Sequence, residues 1–164
     1  MGGASRRHNL IVSNLVRHIG NALAERAFEV YPNDMRVKVS PTGLYTYPDV
    51  SIVSSNPQFE DSHVDTLLNP TVVIEVLSKS TQGYDRGQKW HHYRQISSLR
   101  DYVLVAQDHC GIERYSRDAD GPWVLWETDE LSGSLALPSV DCTIAIAEIY
   151  ARVEFEPPSQ EDPS

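Results

Sequence analysis

The run Thr71-Val-Val-Ile-Glu-Val-Leu77 decides how this chain is read. Its length and its wealth of β-branched residues are those of a strand buried in a sheet. Strand alternation puts Val73, Glu75 and Leu77 on one face and Val72, Ile74 and Val76 on the other, so Glu75 looks into a layer. An ionised carboxylate in apolar surroundings is costly unless it is paired, hydrogen-bonded or bound to a metal. Glu75 therefore marks a site of chemistry as well as a strand.

Upstream, Ser5 is placed to cap a helix whose apolar positions Ile11, Leu15, Ile19 and Leu23 repeat at helical spacing. From 27 to 53 the pattern changes to short β-prone runs, 28–31, 35–39 and 50–53, separated by Pro32-Asn-Asp and Pro41-Thr-Gly, which predicts a meander. The polar stretch 54–69 reads as a loop leading into the strand of Glu75. Downstream, a second helix is predicted from Asp85 to about Ser97, with Lys89, Tyr93 and Ile96 on one face. Strand-like runs follow at 102–105, 111–115 and 123–126, joined as hairpins, and a short helix is predicted over 146–152. The order of helix, strands, helix, strands indicates an α+β fold with a central mixed β-sheet flanked by helices. One domain is expected over 1–153, followed by an acidic, Pro-rich disordered tail over 154–164.

The chain has 164 residues and a net charge of −9. The acidity is uneven: residues 1–100 hold 11 Lys/Arg against 9 Asp/Glu, and residues 101–164 hold 3 against 14. Within the first part, Lys79, Arg86, Lys89, Arg94 and Arg100 face a single acid, Asp85, which leaves either a local basic surface or a solvated helix face. No apolar run reaches the roughly 20 residues of a membrane helix. The N-terminal residues lack the apolar core of a secretory signal, so a cytoplasmic location is expected. Cys110 and Cys142 are far apart and outside any Cys-x-x-Cys pattern, which indicates free thiols.

A second carboxylate, Asp49, follows Pro48 at the start of the run Val50-Ser-Ile-Val53. Two carboxylates on neighbouring strands repel each other unless a cation lies between them or one is protonated. Oxygen ligands of this kind select Mg2+ or Mn2+, and magnesium takes only one or two protein carboxylates. The alternative is an Asp capping a turn and a Glu paired with Arg or Lys. Lys89 also has two readings: Asp85 and Lys89 stand four apart, acid first, as in a stabilising helix pair. His91 and His92 are adjacent, point in different directions on a helix, and form no zinc motif. Trp90, Tyr93, Trp123 and Trp126 read as core in preference to base-stacking platforms.

Pro48-Asp49, then Glu75, then a basic residue resembles the PD-(D/E)XK phosphodiesterase superfamily. Val73-Ile-Glu-Val-Leu-Ser78, Thr81, Asp85, Lys89 and Tyr93, followed by Leu99-Arg-Asp-Tyr-Val-Leu-Val105, resembles more specifically the Uma-two family of restriction-endonuclease-like proteins. The resemblance covers roughly His8 to Val153. It implies a restriction-endonuclease-like fold, with Asp49 and Glu75 as metal ligands and a lysine assisting the attacking water. The superfamily lysine falls two residues after the glutamate, where this chain has Leu77; the resemblance points instead to Lys89, with Lys79 as second choice. His8 matches a histidine at the start of the family's first helix, with capping or packing as the competing reading.

The expectation is a Mg2+-dependent (or Mn2+-dependent) endonuclease that hydrolyses DNA phosphodiester bonds by metal-activated water, with Asp49, Glu75 and Lys89 as its catalytic set. Cutting both strands of a duplex with one site per chain implies a homodimer. The alternative is a non-catalytic DNA-binding or protein-interaction module on the same fold, with Glu75 held by an internal ion pair.

Overall fold

Ser5 starts the first helix: its hydroxyl accepts the backbone N–H of His8 at 3.1 Å, satisfying one of the donors that a helix start leaves open. The helix α1, Arg6–Ala22, then buries Ile11, Leu15 and Ile19, the stripe that its periodicity predicts. The computed structural model describes residues 4–78, 83 and 85–156, without the side chains of Asp85 and Arg86.

The main sheet has six strands: β1 (Phe28–Pro32), β4 (Val50–Ser54), β6 (Val72–Leu77), β7 (Asp101–Ala106), β8 (Ile112–Ser116) and β9 (Val124–Thr128). They lie side by side in that order. The β6–β7 pair is parallel and all other neighbours are antiparallel, so the sheet is mixed. A parallel pair needs a crossover, and the chain between Leu77 and Asp101 supplies it. That crossover includes a π-helical turn, Asp85–Lys89, and the short helix α2, Trp90–Tyr93.

Alternation on β6 divides its side chains between two cores. Val72, Ile74 and Val76 pack with Ile11, Leu15 and Ile19 of α1. That core is completed by the hairpin of β10 (Ser134–Leu137) and β11 (Cys142–Ala145) and by the helix α3 (Ile146–Ile149). Val73 and Leu77 face the opposite way, into a core with Val37, Val39, Leu67, Tyr93, Tyr102 and Leu104. A second sheet, ordered β3 (Leu44–Thr46), β2 (Arg36–Val39), β5 (Thr66–Leu67), contributes Val37, Val39 and Leu67 to that core. The molecule is thus an α+β fold with a central mixed sheet covered on both faces. Among the described residues no helix is long and apolar enough to cross a membrane.

The expected meander does not form. β1 pairs with β4, while β2 leaves to pair with β3 and, in parallel, with β5. The stretch 54–69, read as a loop, contains β5, whose two residues are too short to carry a periodic signal. The predicted helix 85–97 is a π-helical turn and one turn of α-helix, ending at Tyr93. The last helix stops at Ile149, three residues short of the predicted end. Cys110 and Cys142 are free, as expected, with Cys142 buried and Cys110 half-buried. Of the predicted tail, Glu154 to Glu156 are described and 157–164 lie outside the described residues.

Candidate active site

β4 and β6 pair antiparallel, with Val50 opposite Ile74 and Ile52 opposite Val72. One further step of that register brings Asp49 opposite Glu75, so the two carboxylates belong to one face of the sheet. The regular strand begins only at Val50, and the Asp49 side chain continues the ladder: its Oδ2 accepts the backbone N–H of Val76 at 2.7 Å. Its Oδ1 lies 3.0 Å from Nε2 of His8, in the first turn of α1.

Glu75 is 3% exposed. Its Oε1 accepts the hydroxyl of Tyr93 at 2.9 Å and lies 3.3 Å from the Lys89 ammonium. The Tyr93 oxygen is also 3.1 Å from Oγ1 of Thr46 on β3. Tyr93 has one proton and gives it to Glu75, so Thr46 is the donor in the second contact. Burial, and then the charge of Glu75, push the Tyr93 phenol well above its ordinary range. It stays protonated and remains a donor.

Lys89 and Tyr93 reach the same carboxylate because they stand four residues apart where the crossover becomes helical. Trp90 holds this turn in place. It stacks on Tyr102 and Tyr115, with ring centroids 5.3 and 4.6 Å away, and meets the edge of Trp123 at 4.7 Å. Tyr102 is core, while Trp90, Tyr115 and Trp123 are half-buried against it, and together they set the position of a polar site. Leu77, in the superfamily's lysine position, is buried in the same apolar layer as Tyr93.

His8 was the least obvious member, since a single histidine at a helix start fits capping as well as chemistry. It does not cap by its ring; it binds Asp49. That hydrogen bond raises its pKa above the ordinary 6.5, against the lowering effect of burial and with help from the charges of Asp49 and Glu75. Its Nδ1 is buried and meets no hydrogen-bond partner among the described residues.

Among the described residues no group of three His, Cys, Asp or Glu side chains is arranged to hold a metal. The donors present are two facing carboxylates, hard oxygen ligands in the number that magnesium takes from a protein. The chemistry of this pair fits Mg2+ or Mn2+.

Of the cations that the sequence offers over 79–100 for a basic surface, two are turned to partners within the chain. Lys89 turns inward to Glu75, and Arg100 donates to the carbonyls of Ser97 and Leu99. Arg94 is exposed, whereas Lys79 and the Arg86 side chain lie outside the described residues. His91 is exposed and His92 meets Thr42 at 2.8 Å, so neither joins the site. On the far side of β6, the sheet register runs from Glu75 to Leu104, Glu113 and Glu127. A cleft of about 380 Å3 opens there, lined among others by Glu113, Glu127 and Asp129.

The fold resembles a solved structure of a putative nuclease of the DUF820 group from Anabaena variabilis: TM-score 0.70 at 16% identity, covering 92% of this chain and 83% of that one. Two uncharacterized proteins of Synechocystis sp. are similar in sequence. One is 35% identical over 127 residues, 77% of this chain and 72% of the relative. The other is 34% identical over 155 residues, 94% of this chain and 80% of the relative. Residues 1–146 match the Uma2 family, described as putative restriction endonuclease. The chain belongs to the Uma2 family.

Proposed function

We propose that this protein is an endonuclease that hydrolyses phosphodiester bonds of DNA, with Asp49 and Glu75 holding Mg2+ or Mn2+. The observation that carries the reading is the cluster at the end of β6: two facing carboxylates, with Lys89 on one and His8 on the other. When bound, the ion supplies Lewis acidity toward a phosphoryl oxygen and lowers the pKa of water for in-line attack. Asp49 is oriented by the Val76 N–H and by His8, and Glu75 by the Tyr93 hydroxyl. Lys89 supplies positive charge beside the phosphate and orients the attacking water. Its long side chain replaces a lysine on β6 by reaching in from the crossover. If the substrate is a duplex, cutting both strands with one site per chain calls for a homodimer.

A second reading has one observation in its favour: Lys89 and His8 together can offset the charges of Asp49 and Glu75 without an ion. The protein is then a non-catalytic module on a nuclease fold. Calorimetric titration with Mn2+, alongside incubation of plasmid DNA with Mg2+, separates the two. The nuclease reading expects Mn2+ binding that Asp49→Ala abolishes, together with cleavage. Absence of both overturns it in favour of the module.

A further inference from the structure

The main sheet has two edges, β1 and β9, and they are finished differently. β1 carries Glu29 exposed and ends in Pro32, a charge and a residue without an N–H, the devices that keep a sheet edge from pairing. β9 runs Val124-Leu125-Trp126-Glu127-Thr128 without proline or lysine, and among the described residues it has a neighbour, β8, on one side only. Val124 is 61% exposed and Leu125 47%, one on each face of the sheet. With Leu131 just beyond, this edge holds three of the six large apolar side chains exposed among the described residues. An open strand edge flanked by exposed apolar side chains is a template for another strand.

The side chains of β9 fit a second β9. In an antiparallel pairing about a two-fold axis, opposed residues share a face of the sheet, so the axis passes through a residue position. With Leu125 on the axis, Leu125 meets its own copy, Val124 meets Trp126 and, one step further, Trp123 meets Glu127. Glu127 is exposed, and with Glu113 and Asp129 it lines the acidic cleft at its end of the edge. The end near Trp123 carries the opposite charge on the same face. There Arg117 lies 4.4 Å from the Trp123 ring centroid, held by the carbonyls of Leu99 and Ile96, and among the described residues it forms no ion pair. Asp118 and Asp120 belong to the turn beyond, outside the paired stretch. Antiparallel pairing therefore brings Glu127 of each copy to the Trp123 and Arg117 of the other, while Val124 and Leu125 leave water. Moving the axis to Trp126 would set Glu127 against Leu125 and lose both gains.

We propose that β9 is the interface of a symmetric dimer, in which two copies of this chain pair their β9 strands antiparallel about Leu125 and join their main sheets into one. A dimer serves a nuclease that cuts duplexes, yet this interface stands on the sheet edge alone and is independent of cleavage. The Glu75 faces of the two copies then lie on the same side of the joined sheet.

Sedimentation velocity over a concentration series tests this with wild type, Leu125→Lys, Glu127→Arg and Val64→Lys, each checked for folding by circular dichroism. Wild type is expected as a dimer. Leu125→Lys sets two ammonium groups on the axis and is expected to weaken dimerisation by about 30-fold or more, as loss of a central apolar anchor does. Glu127→Arg, brought against Arg117 of the other copy, is expected to weaken it as well. Val64→Lys, at an apolar residue 56% exposed and outside the edge, is expected to leave it unchanged. Wild type that stays monomeric throughout the series, or a folded Leu125→Lys that dimerises as tightly as wild type, overturns the proposal whatever the cleavage activity. Dimerisation indifferent to Glu127→Arg overturns the register about Leu125.

Discussion

The Lys89 ammonium lies 3.3 Å from Oε1 of Glu75, although the two residues stand on different elements and fourteen positions apart. The strand position that carries lysine in the superfamily is filled here by the buried Leu77, and the charge arrives from the crossover instead. If Lys89 acts on the phosphate and water, Lys89→Met lowers the rate of DNA cleavage by about 100-fold or more, as loss of one preorganised charge stabiliser does. Lys89→Arg recovers little, since a planar fork does not replace an ammonium at this distance. Initial rates at saturating DNA check both.

Tyr93→Phe removes one hydroxyl that serves two partners, Glu75 and Thr46. A hydrogen bond to a buried charged group contributes about 1.5–3 kcal/mol, so urea unfolding should show a loss of that order. Cleavage should fall as well, because Glu75 loses its donor.

Trp90→Ala empties the centre of the aromatic cluster that holds the turn bearing Lys89 and Tyr93. A large aromatic lost from a packed core costs about 3–5 kcal/mol, which is the upper bound for the half-buried Trp90. Calorimetric unfolding measures this, and the effect should exceed that of Tyr93→Phe.

The pH dependence has two parts. Hydrogen bonding to Asp49 raises the His8 pKa above its unfolded value, so its contribution to stability is complete below about pH 6.5 and is lost as pH rises through the folded value. In metal-free protein, the NMR titration of His8 should fall to lower pH in Asp49→Asn. At the alkaline end, burial pushes Tyr31 up to about 12 and raises Tyr93 and Tyr150 as well. Their stabilising contributions are complete below pH 10 and are lost as pH rises through the raised values. Ultraviolet titration should show these phenols ionising last, and stability declining above pH 10.

Periodicity made the main layers legible. The stripe of Ile11, Leu15 and Ile19 and the alternation around Glu75 both describe the real burial. Strand partnership was not legible: β1 and β4 are brought together by a tertiary arrangement that no local pattern encodes, and β5 is two residues long. In the site, Glu75 stood out because it interrupts an apolar run, and Asp49 because Pro48 starts a strand beside it. The family resemblance selected Lys89. His8 and the hydroxyl of Tyr93 were harder to assign, since one sits alone at a helix start and the other belongs to a side chain that is also core.

The central claim is that Glu75 helps hold an ion for DNA hydrolysis, and Glu75→Gln changes the charge of that side chain while nearly keeping its shape. Cleavage of DNA started by Mg2+, compared between wild type and this variant with folding verified by circular dichroism, tests it most directly. Cleavage by wild type and loss of about 100-fold or more in the variant is the predicted result. A folded Glu75→Gln protein that cleaves as fast as wild type contradicts the account.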